Sequence, residues 1–73
     1  MKTPVECHCD PNLSHKIVST DVKLIRRVRR TNLENAARWE LLGEEWAETV
    51  ICSRWTAYQC LLQLRELKKE GVR

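Results

Sequence analysis

Glu45-Trp46-Ala47-Glu48-Thr49-Val50-Ile51-Cys52-Ser53-Arg54-Trp55-Thr56-Ala57 is the stretch on which the reading of the fold depends. If Ile51-Cys52-Ser53 is a turn, Ser53 caps a new helix from Arg54 to about Lys69, since a Ser side chain accepts a first-turn N–H well. Lys68 and Lys69 then suit the negative C-terminal end of that helix, and Gly71 its termination. If the three residues are helical instead, Trp39, Trp46, Val50, Ala57, Leu61 and Leu64 keep a rough heptad-like spacing straight across them. That pattern describes a continuous helix or a plain helical hairpin, and the stripe is then core or dimer seam. Val50-Ile51-Cys52 is too short for a strand and is flanked by helix formers, so both readings are all-α.

Outward from this stretch, punctuation divides the chain. Both prolines, Pro4 and Pro11, fall in the first eleven residues, and Gly43 is the only glycine before Gly71. This separates an irregular N-terminal arm, residues 1–18, from a helical domain, residues 19–73. Ser19 and Thr20 are candidate caps for a first helix, with Asp21 favourable in its first turn. Thr31-Asn32-Leu33-Glu34 has the form of a capping box, which predicts a second helix starting near Leu33. Gly43 ends or weakens that helix, and Glu44 and Glu45 suit a new first turn. In the last helix Tyr58, Leu61, Leu62, Leu64 and Leu67, with Ala57 and Cys60, cover most of the circumference. Thr56, Gln59, Gln63 and Glu66 leave a narrow polar strip. So wide an apolar arc marks a central helix or one that meets another chain.

The 73 residues allow one domain, and a chain of that length buries only about 60% of its unfolded surface. Small proteins of this size are often completed by a metal, a disulfide or a second subunit. With 42% apolar and 32% charged residues the composition is globular. The net charge of +3 is strongly segregated. Residues 1–30 hold seven bases and three acids, residues 31–50 one base and five acids, and residues 51–73 five bases and two acids. No signal-peptide pattern and no apolar run near ~20 residues is present, so an intracellular, cytoplasmic protein with reduced thiols and no membrane partner is expected.

The strongest local charge is Arg26-Arg27-Val28-Arg29-Arg30. On a helix from Asp21 to Arg30, Leu24, Ile25 and Val28 lie on one side, and Lys23, Arg26, Arg27 and Arg30 on the other. A basic face beside a packed core suits an acidic ligand: nucleic-acid phosphate, an acidic protein surface or a membrane. The competing reading is a solvated face paired with the acidic middle, for example Arg26 or Arg30 with Glu34, Glu44 or Glu45.

The run Ala47-x5-Ser53-Arg54-x-Thr56-x4-Leu61-x2-Leu64 resembles the core of winged-helix and helix-turn-helix transcription regulators over about twenty-five residues, 45–71. The resemblance implies that Ala47 packs two helices closely and that Ser53 caps the second. It implies that Arg54 and Thr56 meet phosphate or base while Gln59 and Gln63 face the groove, where Gln suits adenine. The turn carries Ile51 where those regulators usually have Gly, and no wing follows.

Cys7-His8-Cys9-Asp10 with His15 supplies thiolate, imidazole and carboxylate within nine residues, so Cys7, Cys9 and His15 are candidate zinc ligands. The alternative is a flexible arm with incidental thiols. C-x-C is not the usual knuckle, and a fourth ligand would have to come from Cys52 or Cys60, which also fit as small core residues. No resident cofactor is otherwise indicated. Glycine-rich phosphate loops, G-x-S-x-G and H-E-x-x-H are missing from the sequence, and Glu44-Glu45 point to different helix faces, so no enzyme is expected.

Together these readings predict an all-α protein: a small bundle of three to four helices with an extended N-terminal arm, completed by dimerisation. Trp39, Trp46, Val50, Tyr58, Leu61, Leu64 and Leu67 would form the core and any dimer seam, with Ile25 and Val28 docking the basic helix. The function expected is a small non-enzymatic regulator that binds DNA. In that reading Gln59, Gln63 and Thr56 turn toward bases, and Arg26, Arg27, Arg30 and Arg54 toward phosphate. The alternative is a protein-interaction module acting as a stoichiometric modulator or inhibitor. It would present the basic helix, Lys23 included, and exposed tryptophans such as Trp55 to an acidic or apolar surface.

Overall fold

A computed structural model describes residues 3–7 and 19–71. Two long helices pack as a hairpin: α1 spans Val22–Leu41 and α2 spans Ala47–Lys69, joined through a single 3-10 turn at Glu44–Trp46. They run antiparallel. Ile25 and Val22, near the start of α1, pack with Leu67, Leu64 and Cys60 in the second half of α2. Glu40, at the end of α1, pairs with Arg54 near the start of α2.

The start of α1 is fixed by Asp21, whose Oδ1 accepts from the Leu24 backbone N–H at 3.1 Å. Asp21 is thus the N-cap itself, and Ser19 supports it by accepting from the Asp21 N–H at 3.0 Å. No glycine or proline interrupts residues 22–42, and the helix runs unbroken through Thr31-Asn32-Leu33-Glu34. The predicted second start there does not occur. Thr31 and Glu34 are both exposed on α1, and Asn32 donates to the Val28 carbonyl at 2.8 Å within the same helix. A capping box acts only where the preceding residue leaves helical geometry, and nothing here forces that.

Gly43 ends the first helix. Its φ of 118° and ψ of 178° fall where side-chain-bearing residues are rarely found. The Trp46 N–H donates to the Gly43 carbonyl at 3.2 Å, and the rings of Trp39 and Trp46 meet across the turn with centroids 4.5 Å apart. At the far end α2 stops as expected. The Glu70 N–H donates to the Glu66 carbonyl, the Gly71 N–H donates to the Lys68 carbonyl, and Gly71 has φ 81°.

The described residues therefore form two α-helices, where three to four were expected. Ile51, Cys52 and Ser53 lie inside α2, so no turn occurs there. The physical reason is the seam. Val50, Ala57 and Leu64 form one seven-residue repeat, and Ser53, Cys60 and Leu67 a second. Both are kept in phase only if the helix continues. Buried on this seam are Val50, Ala57, Cys60 and Leu67 from α2, with Ile25 and Ala36 from α1. Ala47, expected to pack the helices closely, is exposed, and Ala36 and Ala57 occupy the contact instead. The core is correspondingly small. Ile25, Leu67 and Cys60 are its largest fully buried side chains, while Trp39, Trp46, Tyr58, Leu61 and Leu64 are only half-buried.

Candidate interaction face

The antiparallel hairpin changes the meaning of the charge blocks. The start of α1 and the end of α2 share one end of the molecule. Residues 21–30 and 65–70 bring eight bases and three acids there, a net of +5. The intervening residues 31–64, whose charges all fall between Glu34 and Arg54 around the turn, hold two bases and five acids, a net of −3. Two basic segments far apart in sequence become one cationic end, and the acidic middle becomes the opposite pole.

On α1 the side chains of Lys23, Arg26, Arg27 and Arg30 are exposed, while Ile25 is fully buried behind them. None of the four has an ion-pair partner among the described residues. The ion pairs found there are Arg54 with Glu40, and Lys69 with Glu66 at 3.7 Å. The solvated alternative, in which Arg26 or Arg30 pairs with Glu34, Glu44 or Glu45, is not the arrangement adopted. Leu24, on the apolar side of α1 at the margin of this face, is 45% exposed. Arg29 is different from its neighbours: it is half-buried and acts on Cys60. Burial pushes the Cys60 thiol above its ordinary value of 9.0, and the Arg29 charge pulls it back in part.

The residues expected on α2 are placed less simply. The Arg54 guanidinium donates to the Glu40 carboxylate and ties α2 to α1, so its charge is already matched. Thr56 Oγ1 donates to the Cys52 carbonyl at 2.9 Å, one turn back. Gln63 Nε2 donates to the Ser19 carbonyl at 3.0 Å, fastening the residue that leads into α1. Gln59 is half-buried. Trp55 is half-buried too, with its ring 5.6 Å from that of Tyr58, so it is not the freely exposed anchor expected. The proposed base-reading strip is thus largely engaged within the molecule.

Cys7 is disulfide-bonded. Cys9 and His15 lie outside the described residues. Among the described residues no three His, Cys, Asp or Glu side chains converge on a possible metal position. No described helix is long and apolar enough to cross a membrane.

Sequence reasoning missed one feature. Along one side of the hairpin run two adjoining clefts, of about 480 Å³ and 200 Å³, which share Leu33 and Arg54 as lining residues. The first also touches Ala36, Ala37, Glu40 and Leu41; the second touches Pro4, Arg29, Ala57, Tyr58 and Leu61. The signal was available in the spacing of Arg29, Leu33, Ala37 and Leu41, which recur every four residues, with Ala36 and Glu40 beside them. The false helix start at Leu33 cut that stripe in two.

No family model matches the chain, and comparison with characterised proteins and with solved structures gives no match.

Proposed function

We propose that the protein is a non-enzymatic interaction module whose cationic end docks on an acidic protein surface. One observation carries this reading. Lys23, Arg26, Arg27 and Arg30 stand exposed, with no ion-pair partner among the described residues, on a face that the hairpin backs with the buried Ile25. A rigid helix presenting guanidinium groups loses little freedom on docking, and arginine is frequent among the residues that dominate interfaces. The half-exposed Leu24 at the margin of that face favours a protein surface over bare phosphate, because it offers an apolar contact that a phosphate backbone would not use.

The reading is tested by affinity capture from the source cells with the wild-type chain and with an R26E/R27E/R30E variant. The captured polypeptide is then identified, purified and titrated against both. A single partner bound near 1:1 by the wild type and lost by the variant is expected. Equal binding by both would overturn the assignment of the face.

A second reading, sequence-independent binding of nucleic-acid phosphate, is favoured by the +5 balance of the cationic end. Readout of bases by Thr56 and Gln63 has less support, since both side chains donate to backbone carbonyls of the same molecule.

A further inference from the structure

We infer that the cleft side of the hairpin is a self-complementary surface that pairs with a second copy of this chain, antiparallel, across a two-fold axis. Three observations combine. The two clefts share Leu33 and Arg54 and so form one groove along the hairpin. Apolar side chains left open to solvent lie on it: Leu41 is 89% exposed and Leu33 41%. Apolar surface of this kind, aligned with a groove between two helices, is the form in which a two-helix unit lacks further helices to complete a bundle.

Charge selects the occupant. The cleft lined by Arg29 lies toward the cationic end of the hairpin, and the cleft lined by Glu40 and Leu41 toward the acidic turn end, where Glu44 and Glu45 are exposed. A uniformly acidic partner would match one half of the groove and oppose the other. A second copy turned end for end sets each cationic half against an acidic half, and each Leu41 against the opposite groove. An isologous contact of this kind makes every favourable pair twice. The dimer shares Arg26 and Arg30 with the proposed docking face, but its test uses this chain alone, so its failure is distinguishable from failure of that reading.

Sedimentation equilibrium tests it with three proteins. The wild type is expected to be dimeric. R26E/R30E places acid against acid and should weaken the dimer about tenfold or more, since like charges then meet at both symmetric sites. The four-fold exchange R26E/R30E/E44K/E45K restores opposite charges in the antiparallel arrangement alone, and should recover the wild-type affinity. All four positions are exposed, so the hairpin itself should persist, as circular dichroism will verify. Leu41→Asp, at an exposed site outside the core, supplies an uncharged-to-charged alternative and should also weaken the dimer about tenfold or more. A monomeric wild type, a dimer indifferent to both R26E/R30E and Leu41→Asp, or a four-fold exchange no tighter than R26E/R30E would each overturn the proposal.

Discussion

Asp21 holds the start of α1 through one carboxylate oxygen, accepting from the Leu24 N–H at 3.1 Å. Replacing Asp21 by Ala should cost about 1 kcal/mol, the usual loss when an N-cap acceptor is removed, and Asp21→Asn should retain most of it. Urea melts followed by circular dichroism would check both. Cys60 makes a second prediction at this scale. Its thiol is raised above the ordinary 9.0, first by burial, while Arg29 opposes the shift. A raised folded-state pKa means that the protonated thiol favours folding below pH 9.0. That contribution is lost as pH rises through the folded-state value. The stability of the wild type should therefore fall above pH 9 more steeply than that of Cys60→Ala. Parallel curves for the two proteins, measured by denaturant melts at each pH, would remove Cys60 as the source.

Gly43 shows how much of the hairpin rests on one backbone position. At φ 118° and ψ 178° an added Cβ would meet no atom within 4 Å, so any cost of Gly43→Ala is conformational and not steric crowding by neighbours. It should be about 1–3 kcal/mol, the range for holding a side-chain-bearing residue in such a region. Leu67→Ala should cost more, about 2–5 kcal/mol, because Leu67 is fully buried against Ile25 and Cys60 and little nearby can fill the space. Thermal melts of the two variants give the comparison, and a Leu67→Ala protein as stable as the wild type would contradict the seam. The elements themselves were partly legible in the sequence. Gly43, Lys68, Lys69 and Gly71 announced real ends, and the all-α class followed from the missing strand patterns. Thr31–Glu34 and Ser53 announced starts that did not occur. A cap residue is compatible with a helix interior, whereas continuity of the Val50–Ala57–Leu64 and Ser53–Cys60–Leu67 repeats is decided by packing on the other helix. Local signals could not report that competition.

At the scale of the whole molecule the chain is a rod with a cationic and an acidic pole. The arginine cluster was plain in the sequence, and the exposure of Lys23, Arg26, Arg27 and Arg30 agrees with its helical spacing. The joining of residues 21–30 with residues 65–70 was not readable, because it depends on the number of helices between them. An odd number of reversals brings these segments together, and the single reversal at Gly43 does so. In the same topology α2 continues through the supposed turn, Thr56 donates to the Cys52 carbonyl and Gln63 fastens Ser19. What the cationic pole holds is the central claim. Fluorescence anisotropy of a labelled mixed-sequence DNA duplex, titrated with the wild type and with R26E/R27E/R30E at low and physiological salt, tests it most directly. Weak wild-type binding at low salt that vanishes at physiological salt is expected, with none by the triple variant at either salt. Tight wild-type binding that persists at physiological salt, with a steep salt slope and loss in the triple variant, would contradict the protein-docking claim and make phosphate the ligand of this face.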